Sequence, residues 1–573
     1  MYASAKKFRF VLTDCSGRLG GGVLMIILVF GGYRLSAQDL ETITKQKIVK
    51  VTGGLSANTT FYNAQGIENR RDPFYWLLNA NMNLNILGII QAPFSFTVSQ
   101  QKKNFAQPQP FNRFGISPKY KTVTAHLGHR TMNFSEYSLA GIMFLGAGVD
   151  VAPTDGAIRV SAMYGQLAKA VDKSAQVGLV FAKPTFRRTG YGMKLGLGRK
   201  KNLVDLIFFR AADDANSISV SPELEVTPEE NLVVALHSKH EVSDKIAVEL
   251  ELAHSLFTRD NRAVESTSTN YSFVNNLGGL FKPNISSEAN NALTASVNYN
   301  GKGYQANVKY RSIDAGYRSL GSAFLNNGMK DLTGGLSWSM LQRKINLSTN
   351  AGLQQSTKES SVVRAIYAVN MNFNSGKRLS LTSSYSNFST TTRQLQIQRD
   401  IRVDSLEYFQ VTRSGSFNAN YKLGQANSST ALILSLNAQD ATDNQNNSST
   451  FYSFNLGEQM KLLGQWQVAI TASYNRNFSN QIENTSIGPV MNLNRSFKEG
   501  KMRSSFSAAF LKSFTGDILQ SEVINMSLTN SLKIAKKHSF GVNLYYLKNN
   551  QLGEQGKKFS EMRGMVNYNY SIW

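Results

Sequence analysis

The stretch Leu78-Asn79-Ala80-Asn81-Met82-Asn83-Leu84-Asn85-Ile86 alternates apolar and amide side chains without a break. In an extended strand successive side chains point to opposite faces. Leu78, Ala80, Met82, Leu84 and Ile86 therefore share one face, and Asn79, Asn81, Asn83 and Asn85 share the other. Wound as a helix, the same residues would spread asparagine around the axis and leave no apolar stripe. The pattern recurs in Ala92, Phe94, Phe96 and Val98; in Ile246, Val248, Leu250 and Leu252; in Tyr304, Ala306, Val308 and Tyr310; in Trp466, Val468, Ile470, Ala472 and Tyr474; and in Val566, Tyr568, Tyr570 and Ile572. Such segments run for about ten residues, the length of a tilted strand that crosses a bilayer, and about 26 of them can be counted, within about 22 to 30.

The connections alternate in length. Gly88, Gly301-Lys302-Gly303, Arg343-Lys344, Asn374 to Lys377, Gly464 and Lys536-Lys537 read as tight turns. Between them fall longer polar stretches at Asn63 to Pro73, Gln101 to Lys119, Ala211 to Glu230, Thr258 to Asn290, Ser312 to Asp331, Phe388 to Ser405, Gln439 to Ser449 and Lys548 to Ser560. This rhythm predicts an all-β fold, a transmembrane antiparallel up-and-down β-barrel with no plug domain, short turns at one rim and long loops at the other. Two connections, Thr131 to Leu139 and Leu167 to Ser174, are too long for the turn rim. A soluble solenoid is disfavoured because the spacing is irregular, and a chain of sandwiches because linkers are missing.

Composition agrees. The 573 residues carry 62 Lys+Arg and 38 Asp+Glu, yet only 17% are charged, against roughly 25% in soluble domains. Hydrophobic residues, 42% of the chain, are dispersed, which excludes a bundle of membrane helices, and 10% aromatic content excludes disorder. Lys6, Lys7, Arg9 and Arg18 precede an apolar run from Val23 to Phe30 too short to span a bilayer, and Leu35-Ser36-Ala37 ends on a small residue before Gln38. The expected organisation is a signal peptide at 1–37 cleaved after Ala37, a short periplasmic tail at 38–47, and the barrel at 48–573. Cleavage leaves 57 basic against 37 acidic groups, a charge of +20, and removes Cys15, the only cysteine. A thiol-free mature chain excludes disulfides, iron–sulfur clusters, zinc fingers and cysteine nucleophiles.

The Ala37/Gln38 junction, the basic Asn/Ser-rich strands and the alternating end Met565 to Trp573 resemble outer-membrane β-barrel proteins of the Bacteroidota. The blocks Leu127-Gly128-His129-Arg130, Leu145-Gly146-Ala147-Gly148 and Gly316-Tyr317-Arg318-Ser319-Leu320-Gly321 are similar to segments recurring in such barrels. The resemblance implies the outer membrane of a Gram-negative cell and names no substrate; an even strand number would put both chain ends in the periplasm. It also marks Tyr568, Tyr570, Ile572 and Trp573 as a candidate assembly signal, with Trp573 out of phase with the apolar face.

Little in the chain points to chemistry. The pairs His126/His129 and His237/His240 have a spacing that on a strand sends the rings to opposite faces, so neither chelates a metal by itself. Ser319 lacks the glycine two positions earlier that a nucleophile elbow requires, and His254 falls on the face opposite Glu249 and Glu251. The expectation is no enzyme, no cofactor and no metal. The candidate lumen-lining residues are Asn79, Asn81, Asn83, Asn85, Arg159, Glu249 and Glu251, which lie opposite apolar stripes. Glu249 and Glu251 are expected to meet Lys or Arg of neighbouring strands, with a cation site as the alternative. The positive charge suits phosphate groups of outer-membrane lipid and lipopolysaccharide, and an exported barrel meets no nucleic acid.

A wall of this size needs something in its lumen, since barrels of about 22 strands already carry a plug. Segments 258–290, 101–119 or 312–331 folding inward, a partner protein filling or capping the lumen, or a flattened barrel would meet that need. The first functional expectation is a loop-gated, porin-like transport conduit for polar solutes. The second is a non-conducting subunit of an outer-membrane secretion, assembly or surface-attachment complex.

Overall fold

In a computed structural model the described residues are 48–572, with breaks at 101–111 and 267–279 and shorter ones in other connections and within 395–405. The expected signal peptide, the periplasmic tail up to residue 47, and Trp573 lie outside them. The strand Val49–Gln65 pairs antiparallel with Phe74–Ile86 on one side and with the final strand Lys558–Ile572 on the other, so the sheet closes on itself. One stave is split by Ser117-Pro118 into Arg113–Ile116 and Lys119–Tyr120, because a proline has no N–H for the ladder. Counting it once, the barrel has 26 antiparallel staves, as the alternation predicts.

Register assigns the two faces. Leu206, Leu236, Leu252 and Leu293 are successive cross-strand neighbours, and the first three are exposed. The adjacent row, Ile207, Ala235, Ala253, Ala292 and Ile313, is buried. The exposed apolar row is the outer surface. The outer row at the turn rim includes Tyr120, Tyr299, Tyr304, Trp338, Tyr421 and Trp466, an aromatic belt of the kind found where a bilayer meets water.

Two departures from the expected rhythm stand out. In the carboxy-terminal half the loop rim also has tight turns. Asn480-Gln481 closes a hairpin with both φ values positive, 47° and 69°, and strands reach into segments read as loops, as in Leu379–Gln394 and Thr430–Asp443. Ser, Thr and Asn at those strand ends keep ladder hydrogen bonds beyond the apolar zone, where alternation is no longer needed. The other departure is segment 258–290. Its ends continue the wall strands, and at Phe281 it lies against the outside of the wall, where the ring packs on Leu232, Leu256 and Phe208, all on the outer row. An aromatic ring takes up apolar surface that the wall presents above its neighbours. Of the expected loop 101–119, residues 101–111 lie outside the described residues, and Arg113–Ile116 and Lys119–Tyr120 are part of the wall.

Candidate functional site: inward loops and the polar lumen

Two connections fold into the lumen. One is 132–142, flagged in the sequence only as too long for a turn; the other is 314–328, within the expected inward segment 312–331. Inside the barrel they meet as a short parallel pair, Leu139 with Gly321 and Ala140 with Ser322. Met132, Phe134, Tyr137 and Leu139 from the first, and Tyr317 and Leu320 from the second, join inward wall residues such as Phe144, Ile207, Phe209, Val233 and Phe257 in one buried cluster. Room for it comes from inward glycines. A Cβ on Gly192 would stand 2.9 Å from the Phe134 ring, and one on Gly148 would run into the Met132 sulfur.

Polar contacts hold this cluster in place. The Tyr317 hydroxyl donates to the Tyr137 carbonyl at 2.9 Å, their rings meet edge-on at 5.9 Å, the Tyr137 hydroxyl meets that of Thr294 on the wall, and the Ser319 hydroxyl donates to the Ser138 carbonyl. Burial pushes the Tyr137 phenol up to about 12 and raises that of Tyr317 further. Asn231, fully buried on the inner wall, is the peg. Its amide donates to Ser255 Oγ (2.8 Å), the Leu256 carbonyl (3.0 Å) and the Arg318 carbonyl (3.3 Å), and its Oδ1 accepts the Leu320 N–H at 3.1 Å. Ser255 Oγ donates to the same Arg318 carbonyl at 2.6 Å. Arg311 of the wall bonds Asp331 at 2.6 Å and reaches Glu136 of the first loop at 3.2 Å.

The candidate lumen residues all lie on the inward rows but are not brought together. Asn79, Asn81, Asn83 and Asn85 share the row of Ser56, Gly54, Thr52 and Lys50 of the first strand. Arg159 sits far along the wall, paired with Asp205 at 2.7 Å. Asp205 in turn approaches His237 at 3.6 Å, and His237 Nε2 meets Glu249 at 2.8 Å. Thus Glu249 is met by a histidine, not by the expected Lys or Arg. Glu251 Oε1 is buried without a hydrogen-bond partner among the described residues. No Lys or Arg of a neighbouring strand meets it among the described residues. His126 faces inward, held by Ser117 and Asp150, and His129 faces outward against Phe114; His237 and His240 divide likewise. Among the described residues no cluster of three or more His, Asp or Glu side chains forms a metal cage.

The filling is one-sided. Every residue of the buried cluster falls between Met132 and Met329, and beyond Asp331 only Asn387, Val411 and the glycines Gly457 and Gly541 are buried among the described residues. There the inward rows are rich in Asn, Ser and Thr, for example Asn370, Ser384, Ser416 and Asn437 in successive cross-strand register, with Arg364, Lys461 and Arg503 among them. Tyr568, Tyr570 and Ile572 of the closing strand lie on the outer row, the last two opposite Leu55 and Gly53 of the first strand. Sequence reading missed Asn231, Tyr137 and Tyr317. The usable signals were the aromatic residues in a connection and the inward glycines facing them.

No protein-family model matches the chain, and no curated protein matches it. Among solved structures it is similar to the translocation pore of the P pilus usher PapC, with 11% identity over 91% of this chain and 99% of that one and a TM-score of 0.36. The ferric yersiniabactin uptake receptor FyuA of Yersinia pestis gives 7% identity over 92% and 81% of the two chains, TM-score 0.39. A bacterial polysaccharide outer membrane secretin gives 11% identity over 50% and 92%, TM-score 0.26. Likeness at this level carries nothing about role.

Proposed function

We propose that the chain is an integral barrel of a Gram-negative outer membrane, with both ends periplasmic, that conducts polar solutes through a lumen narrowed on one side by the inward loops 132–142 and 314–328. The carrying observation is the division of the inner wall. One side is sealed by a packed apolar cluster, and the other keeps an accessible face of amides and hydroxyls. Such a face offers hydrogen bonds to sugars, peptides or hydrated ions, with the inward Arg364, Lys461 and Arg503 as scattered positive charges among them. An apolar outer surface with an aromatic belt supports the membrane placement. Lipid and lipopolysaccharide are the surrounding partners, and the reading includes no catalytic step.

The test is conductance in planar bilayers. Ohmic steps are expected from the wild-type barrel, with larger steps when residues 315–327 are replaced by a short Gly/Ser linker. A silent barrel that co-purifies with a stoichiometric partner overturns the conduit in favour of a subunit of a secretion, assembly or attachment complex.

A further inference from the structure

One place in the wall is not sealed by its ladder. Strand Arg113–Ile116 pairs with Ile90–Ser99 along its full length, Thr97 with Arg113 through Phe94 with Ile116. Toward its other neighbour, Val123–Thr131, it pairs only at Ile116 with Leu127 and Gly115 with Gly128. Continued, that ladder would join Phe114 to His129 and Arg113 to Arg130, and it does not. Instead the Phe114 N–H is taken by His129 Nδ1 at 3.3 Å, a side chain standing in for a missing strand carbonyl. Gly128, where pairing ends, has φ +86°, a backbone state that turns its strand away and that other residues adopt only under strain. Gly115 lacks a side chain where the Arg130 guanidinium crosses to Ser95 Oγ (3.1 Å) and the Pro93 carbonyl (3.0 Å).

A cavity of about 310 Å³ occupies this break. Its lining comes from both faces of the sheet: Asn79, Ser95, Arg113 and Arg130 from the inward rows, and Phe114, His129 and Met143 from the outward rows. The cavity therefore borders both faces of the sheet where the ladder stops. Its inner end is polar and cationic. Arg113 has one long bond, to Thr97 Oγ1 at 3.4 Å, and neither arginine meets a carboxylate among the described residues. The nearby Asp150 is engaged by His126 at 2.9 Å. Arg130 Nε is buried with no partner among the described residues. The outer end is apolar, with Phe114 58% exposed and Leu127 47% exposed on the lipid side.

We propose that this break is a lateral lipid site, in which the phosphate of an anionic membrane lipid sits against Arg113 and Arg130 while its acyl chains lie outside along Phe114, Leu127 and Met143. Two arginines without carboxylate partners supply charge-assisted donors for a phosphate. Only an amphiphile satisfies the polar and the apolar side of this cavity at once. A free anion leaves the outer end empty, and a hydrocarbon leaves the arginines unpaired. The site rests on the reading of the chain as a membrane barrel and adds to it a specific contact with membrane lipid.

The experiment uses the full barrel, refolded into phosphatidylcholine vesicles, re-extracted in mild detergent and titrated with phosphatidylglycerol under native mass spectrometry. One retained phosphatidylglycerol per wild-type barrel is expected. Retention should be weakened about tenfold in Arg113→Gln and at least as much in Asn79→Asp, which places a negative charge in the inner lining. Heat-modifiable migration verifies the fold of each variant, and the second variant keeps the test decisive if the first fails to fold. Equal retention by wild type and a folded variant overturns the site, as does inorganic phosphate displacing the lipid at equal concentration, which would mark an anion site without an apolar half. A wild-type chain that does not float with vesicles overturns the membrane reading itself, a result distinct from a floating barrel that retains no lipid.

Discussion

Replacing Asn231 with Ala removes the peg that joins loop 314–328 to the wall, and its cost can be worked from the contacts. Two of the amide's four hydrogen bonds stay within the wall, to Ser255 and Leu256, and two reach the loop, at the Arg318 carbonyl and the Leu320 N–H. In the variant the Arg318 carbonyl keeps the Ser255 hydroxyl at 2.6 Å, but the Leu320 N–H is left buried with no acceptor. An orphaned buried donor costs about 1–3 kcal/mol and a lost hydrogen bond about 1 kcal/mol, so docking of the loop should weaken by about 2–4 kcal/mol. At 1.4 kcal/mol per decade, the undocked population should rise by about thirtyfold to several hundredfold. Trypsin reads that population directly. Arg318 lies in the docked segment with its carbonyl bonded, and cleavage after it requires local release. The assay is the rate of cleavage between Arg318 and Ser319 in vesicle-inserted barrel, followed by mass spectrometry at limiting protease. A change below about threefold in a variant that still shows heat-modifiable migration would refute the peg and the arithmetic together.

Further outcomes follow from the same contacts. The Tyr137 phenol is raised to about 12 and that of Tyr317 is raised further, both above the unfolded value near 10. Their contribution to loop packing is therefore complete below about pH 10 and is lost as pH rises through the folded values. Tyrosinate absorbance should show two groups titrating late, one of them absent in Tyr137→Phe; early titration of all tyrosines counts against the buried pair. Glu251→Gln removes a buried negative charge while keeping the side chain's shape, and should raise the temperature at which the folded gel band converts. A lower conversion temperature would mean that the carboxylate is stabilised by something else. Converting Asn81, Asn83 and Asn85 to Asp adds three negative charges to the inward row and should shift the reversal potential in a salt gradient toward cation selectivity; an unshifted potential argues that ions do not pass this wall.

The barrel was legible from residues alone because its signal is local. Outward Leu84 and inward Asn83 differ only in which solvent they meet, so alternation along each strand reports both the strand and its faces, and the stave count follows. Tight turns were legible where Gly or Lys-Lys marks them, and not at Asn480-Gln481, whose left-handed pair carries no glycine. The inward position of each candidate residue could be read from parity, but its partner could not, which is why Glu249 meets His237 instead of a lysine or arginine.

What the chain by itself determined is a closed wall with an oily outside and an amide-rich inside, since period two is written in neighbouring residues. Tertiary structure alone decided what occupies that wall. Segment 314–328 turns inward because Asn231, 89 residues before Leu320, offers it an amide, and 132–142 because Thr294, 157 residues after Tyr137, offers a hydroxyl. Segment 258–290 stays outside at Phe281 because Leu232 and Leu256 offer that ring an apolar seat. A loop's destination is set by whichever distant surface satisfies its buried polar groups and rings, and no pattern within the loop records where that surface will be.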